Sequence, residues 1–432
     1  MSQDANDAAG VSVAGADAQR VMRTFVIAWV CCTAFYFLEY AVRSAPAVMI
    51  PELAAAFRVS ALGVSSIVGM YYYTYAATSL IAGVFLDRFG AKYVIPAGAS
   101  VLGAGCLMFS LPDPLMGDIG RLLQGAGSAF AFTGAVYLAA HGFPAQRLAT
   151  AIGLTQCVGM LGGSAGQIIV GPVIKSYLSA PGFWVVIGLG VLTVAIILVT
   201  LTPKEKLTPS SAQPASSWLE PYKVVFMNPQ SYLCGAVAGL LFTPTTILDM
   251  VWGVRFLQQD RAFEYGAAVV TASMVPLGWA IGCPLLGWVA DKLKRRKPAL
   301  FLGAFVMLAC IVQLAYLSFL MPQWITLLLF GIGSGAAMIP YTIIKEVNPD
   351  RVKGSATGAM NFLTFTVTAV IGPIFASNFG RTLGATPDHA AHLRHSDTFW
   401  IFVIVLALLL SAALRETGSG LAHQRVIPLK AA

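Results

Sequence analysis

Charge is what this sequence has least of. Only 11% of its 432 residues are Asp, Glu, Lys or Arg, against about 25% in an ordinary soluble domain, so a water-exposed globular body is excluded. There is no H-E-x-x-H zinc motif and no phosphate-binding P-loop, which removes the sequence basis for an intramembrane metalloenzyme or for ATP-driven work by this chain. No enzyme activity and no cofactor are expected. Seven cysteines are present, at 31, 32, 106, 157, 234, 283 and 310. All fall in apolar segments and read as small packing residues, not as a disulfide or metal framework. The net charge of +8 comes without a long basic block interleaved with aromatics, so nucleic acid is not an expected partner. The first 20 residues lack the basic start and short apolar core of a secretory signal, so the first apolar segment is expected to stay in place as an anchor.

What is abundant is apolar length, since 57% of the chain is hydrophobic. Apolar runs suited to a hydrocarbon core about 30 Å thick recur at 24–48, 61–86, 93–112, 119–141, 147–175, 183–202, 231–257, 264–290, 298–320, 322–345, 354–380 and 397–414. In lipid such segments must be helices, because only a helix satisfies its own backbone amides. The expectation is an all-α membrane protein of twelve spans. An even number puts both termini on one side. Arg88, Lys92, Arg147, Lys292, Lys294, Arg295, Arg296, Lys297, Lys345 and Lys353 all fall at loops on that side, which predicts cytoplasmic termini. The polar, Pro- and Ser-rich stretch KEKLTPSSAQPASSWLEP (204–221) reads as a linker. The resulting layout is a tail (1–23), six spans (24–202), a linker (203–230), six more spans (231–414) and a second tail (415–432).

The two halves resemble each other. GVFLDRFGAK (83–92), after span two, matches GWVADKLKRR (287–296), after span eight, and GRLLQGAGSA (120–129) matches LLFGIGSGAA (328–337). Internal repeats of this kind mark secondary transporters. The first loop, Gly83-Val-Phe-Leu-Asp87-Arg88-Phe-Gly90-Ala-Lys92, resembles the G-x-x-x-D-R-x-G-x-[RK] loop of the major facilitator superfamily. Arg121-Leu-Leu-Gln124-Gly125-Ala-Gly127 is similar to its R-x-x-Q-G-x-G pattern, and the likeness covers essentially the whole chain. The second loop departs from it, with Lys294 where Gly90 stands. The resemblance implies two pseudo-symmetric six-helix bundles and alternating access. It also implies gating roles for Gly83, Asp87, Arg88, Arg121, Asp291 and Glu346, with the Asp87 loop docking near Gly354 and Ser355. For Glu346 and Lys353, a capping ion pair is an equal alternative.

Span one carries FYFLEYAVRSAP (35–46). Tyr36, Glu39, Tyr40 and Arg43 share one helical face. Charged groups at membrane depth cost about 2.5–3.5 kcal/mol each on insertion scales, so the stripe is expected to face the bundle interior. Two readings remain open: a self-neutralised Glu39/Arg43 pair, or a substrate site with Arg43 as the anion ligand and Glu39 as a proton carrier. Tyr71 and Tyr75 in span two, Gln156 in span five, Trp252 in span seven and Asn361 in span eleven join the candidate substrate site. Asp249, aligned with Thr245 and Trp252 at helical spacing, is the second candidate proton carrier. YAVRSAPAVMIPEL is similar to first-helix segments of bacterial anion:cation symporters and of the phagosomal amino-acid transporter group, which implies organic acids, amino acids or small peptides. The expected function is import of a small anionic or zwitterionic solute coupled to protons. The alternatives are efflux of amphipathic compounds and a transporter-like sensor. The expected setting is a bacterial inner membrane, with the protein working as a monomer. His389, His392 and His395 recur at three-residue spacing, and a solvated loop is the expectation there, not a metal site.

Overall fold

The computed structural model describes residues 2–143, 145–204, 220–316, 320–349, 352–382 and 389–418. The side chains of Asp87, Arg147, Lys353 and the three histidines lie outside the described residues, as does Gly354 beyond its place in a helix. Helices account for nearly all of the described chain, and no strand occurs among the described residues. Eleven of them are long and apolar enough to cross a membrane. They are Met22–Val48, Ala91–Phe109, Pro114–Gly142, Ala151–Ser176, Ala180–Leu201, Pro229–Asp249, Tyr265–Lys292, Lys297–Tyr316, Gln323–Val347, Ser355–Asn378 and Ser396–Ala413. The twelfth crossing, span two, is Ala61–Phe89. It reaches the required hydropathy only together with Ile50–Phe57, from which it is bent by 98°. The cause is visible in its sequence: YYYTYAATS (71–79) replaces aliphatic residues with phenols and hydroxyls. The expected linker also contains a short helix, Glu220–Phe226.

Close helix packing follows a twofold pattern. A Cβ added to Gly125 in span four would lie 2.1 Å from the Tyr71 carbonyl oxygen of span two, and one added to Gly127 would lie 2.4 Å from the Gly98 oxygen of span three. In the second half, Gly331 stands in the same relation to Val275 of span eight (2.1 Å), and Gly333 to Gly303 of span nine (2.7 Å). Only glycine lets backbones approach so closely. The two glycine pairs therefore do the same work, each fitting span four or ten into its neighbours. This corrects the sequence pairing by two residues: Gly125 and Gly127 correspond to Gly331 and Gly333, not to Gly333 and Gly335.

The two halves meet on both sides of the centre. Spans alternate in direction, so the loops fall on a face shared with the chain termini and on an opposite, distal face. Toward the distal face, Ser164 donates to the Ser273 carbonyl (2.8 Å), Tyr265 to that of Val48 (2.8 Å) and Tyr72 to that of Thr246 (3.2 Å). Toward the terminal face, Tyr222 donates to the Leu80 carbonyl. Large aliphatic side chains such as Ile196 and Leu409 point outward, as they must where the solvent is lipid.

Candidate functional site

Span one is built to present Arg43 at the centre. Its helix runs through Ser44, Pro46 stops it, and the chain continues as a 3₁₀ turn over Ala45–Val48. Arg43 thus occupies the last helical turn, where the helix dipole favours a cation. Its Nη2 donates to Glu39, and Nη2 and Nε both donate to the Tyr71 hydroxyl (3.0 and 3.2 Å), which in turn donates to Glu39. Aromatic faces enclose the guanidinium: ring centroids of Tyr40, Tyr75, Tyr71 and Phe365 lie 4.4, 4.7, 5.1 and 5.3 Å from its carbon. Phe365 belongs to span eleven, so the cage is closed by the second half of the molecule. Arg43 and Glu39 are both fully buried, yet Arg43 Nη1 and Glu39 Oε2 have no hydrogen-bond partner.

The rest of the first stripe joins this cluster. Tyr36 donates to Gln156 Oε1 (3.1 Å) and sets its ring edge-on against Tyr40, 5.0 Å away. Asn361 accepts from Tyr341 (2.8 Å). Arg121 sits inside the first bundle. It donates to the carbonyls of Val42 (3.4 Å) and Val68 (3.3 Å) and to Gln124 (2.6 Å), and its guanidinium lies 4.8 Å from the Tyr71 ring. Tyr71 is therefore flanked by two arginines, while among the described residues Glu39 is the one acidic group bonded to either. The centre carries a surplus positive charge.

Span seven does not present its polar residues as one face. Pro244–Asp249 forms a π-helix, followed by a turn before the chain resumes as Gly253–Arg261. The wider turn breaks the 3.6-residue register on which the alignment of Thr245, Asp249 and Trp252 rested. Thr245 accepts from Trp279 (2.7 Å), and Asp249 is buried against Gln167 of span five (3.5 Å). Trp252 lines a cavity of about 250 Å³ with Tyr72, Tyr73 and Thr368.

At the terminal face, Gly83, Tyr222, Ser355 and Gly358 line a cavity of about 140 Å³ between spans two and eleven, and Arg88 lies exposed at the end of span two. In the second half, Arg296 bonds Asp291 (2.5 Å) and Glu346 (2.9 Å). Burial alone would lower the pKa of Arg296, but its bonds to Glu346 and Asp291 outweigh that and raise it. The described partner of Glu346 is thus Arg296, a residue the E-x6-[RK] spacing did not single out.

The model of the family described as Major Facilitator Superfamily matches residues 32–373. The chain belongs to this superfamily. Within it, the chain is 24% identical over 358 residues to the hexuronate transporter of Bacillus subtilis, covering 78% of this chain and 83% of that one. It is 26% identical to the mouse MFS-type transporter SLC18B1 over 64% of this chain, a match that spans only 62% of the mouse protein's length. The riboflavin transporter RibZ of Clostridioides difficile is 21% identical over 81% of this chain and 88% of its own. In fold, a bacterial homologue of the human lysosomal transporter Spinster superposes with a TM-score of 0.72 at 14% identity, over 90% of this chain and 97% of that one. A D-xylose–proton symporter superposes with a TM-score of 0.66 at 14% identity, over 89% and 97%. The protein is a multi-pass membrane transporter of small solutes with the major facilitator fold.

Several residues of this major facilitator's centre were not legible as site residues. Phe365 and Tyr341 are single aromatics in apolar spans, a pattern that signals packing far more often than contact with a cation. Tyr72 could have been found, since YYYTY in a span already short of aliphatics is itself unusual.

Proposed function

We propose that this transporter moves a small carboxylate-bearing solute together with a proton, and that Glu39 and the solute compete for Arg43. One observation carries the reading: a fully buried guanidinium at the seam of the two halves with one nitrogen unpartnered, beside a carboxylate with one oxygen unpartnered. A planar guanidinium has two edges suited to carboxylates, and only one is used.

The coupling follows from charge balance over Glu39 and Arg43. Empty and deprotonated, the pair is neutral. With a proton on Glu39 and a solute carboxylate on Arg43, it is neutral again. With the proton alone it carries +1, and with the solute alone −1, and burying an unbalanced charge costs several kcal/mol. The two balanced forms can therefore pass through an occluded state while the others are held back, which gives one proton per monoanionic solute. Arg121 adds +1 to all four forms and so weighs further against the proton-only form; the solute-only form is held back by competition, because an unprotonated Glu39 keeps Arg43 for itself. Asp249, buried in span seven beside Gln167, is a second place for a proton. The name of the hexuronate transporter agrees with a carboxylate-bearing substrate. The basic loops support a cytoplasmic terminal face, and a working monomer is proposed because residues of one chain surround Arg43. A bacterial inner membrane is the proposed location.

The test is uptake into proteoliposomes of labelled D-glucuronate, L-glutamate and dipeptides, with an inward proton gradient and again after an ionophore collapses it. Gradient-driven accumulation should vanish in Arg43→Ala. Glu39→Gln should still exchange solute across the membrane but no longer respond to the gradient. Accumulation that ignores both the gradient and Arg43→Ala would end this reading.

A further inference from the structure

Above the distal contacts lies a cavity of about 380 Å³ that the central site does not use. Both halves line it: Glu52 and Lys175 come from the first, and Arg255, Gln258, Gln259 and Tyr265 from the second. Its lining includes one of the contacts that join the halves toward the distal face. Tyr265 donates to the carbonyl of Val48, the last residue of the 3₁₀ turn that begins two residues after Arg43. Lys175 places its ammonium 3.2 Å from the centroid of the same tyrosine ring. Arg255 is held by Gln259 through Nε (2.9 Å) and lies over Trp252. Glu52 Oε2 is buried without a hydrogen-bond partner.

We propose that this cavity is a second solute site, a vestibule that holds a small organic anion at the distal mouth before the halves part. Lys175 and Arg255 supply two cations against one carboxylate, so the lining attracts net negative charge. The two glutamines offer amides to a carboxylate or hydroxyl. Glu52 selects solutes that also carry a hydroxyl or ammonium, because its free oxygen can only accept. Occupancy has a mechanical consequence: a carboxylate that draws Lys175 off the Tyr265 ring removes one of the contacts holding that ring over Val48. Arrival of the solute then loosens the closure leading to Arg43. The proposal rests on the chain being a carrier of carboxylate-bearing solutes, and its test separates the two.

In reconstituted Gln258→Cys protein, the anionic reagent sulfonatoethyl methanethiosulfonate should label faster, relative to the cationic trimethylammonioethyl reagent, than it labels free cysteine, by about tenfold. Parent protein sets the background from native cysteines, and Gln259→Cys serves if Gln258→Cys does not fold. The preference should disappear with Lys175→Gln and Arg255→Gln together and grow with Glu52→Gln. D-glucuronate should slow labelling saturably, and should still do so when Arg43→Ala is added. A labelling ratio equal to that of free cysteine, or no protection by D-glucuronate, overturns the vestibule. Protection that is lost with Arg43→Ala overturns it too, because it would come from central binding closing the mouth. If Arg43→Ala transports normally yet protection persists, the central reading fails and the vestibule stands.

Discussion

Glu39→Gln should destabilise the protein more than Arg43→Met, although both break the same ion pair. Removing one partner of a buried pair typically costs about 3–5 kcal/mol because the other charge is left uncompensated. The two leftovers differ. A carboxylate left alone can discharge itself by taking up a proton, whereas a guanidinium cannot. The aromatic cage, four rings within 5.3 Å of the guanidinium carbon, is present with or without Glu39 and so returns none of the loss in Glu39→Gln, whereas Arg43→Met gives up its cation–ring attraction. The net expectation is about 3–5 kcal/mol for Glu39→Gln and about 1–3 kcal/mol for Arg43→Met. The double variant should recover most of that loss, since an uncharged pair of similar volume replaces the ions. Denaturant unfolding in mild detergent, followed by tryptophan fluorescence, yields the cycle. Coupling below about 0.5 kcal/mol would mean that the two groups do not depend on each other in the folded protein. It would remove the competition on which the transport mechanism is built.

Three further outcomes follow from the packing and the surface contacts. Gly125→Val should abolish folded protein, because even a Cβ there would lie 2.1 Å from the Tyr71 oxygen; gel-filtration yield checks this, and wild-type yield would refute the close-packed arrangement of spans two and four. Arg296→Gln should cost about 1–2 kcal/mol by loss of two bonds to carboxylates, with Arg296 18% exposed and Glu346 30%. The raised pKa of Arg296 makes its own contribution complete below the normal guanidinium range and lost only as pH climbs through the folded value. Titration of Arg296 therefore adds no slope to the loss between about pH 6 and about pH 9, and unfolding at both pH values should show this. Tyr265→Phe deletes the bond to Val48 and should shift the distal closure toward opening by about 1 kcal/mol, or roughly fivefold. Labelling of a cysteine at Ser164 by a membrane-impermeant reagent would report it, and an unchanged rate would show that the bond does not hold the face shut.

The fold was legible because lipid leaves a sequence so few choices. Spans of the right length, basic loops on one side and the Asp87 loop each point to the same architecture, and the described helices follow it. The inward placement of the candidate site's first stripe was legible for a related reason: Tyr36, Glu39, Tyr40 and Arg43 lie on a regular helix and are all buried, and a charged face in such a span has nowhere to go but inward. Span seven shows where this logic stops. Its Pro244 and the π turn through Asp249 reset the helical register, and hydrophobic periodicity carries no signal for a turn of that kind. Contacts across the seam, such as Phe365 over Arg43 and Tyr265 on Val48, are invisible for a different reason. They join residues 322 and 217 positions apart, and what makes them informative is the neighbour, not the residue. The vestibule illustrates the point: Glu52, Lys175 and Arg255 look like separate interfacial charges until the fold sets them around one cavity, directly over the turn that leads to Arg43.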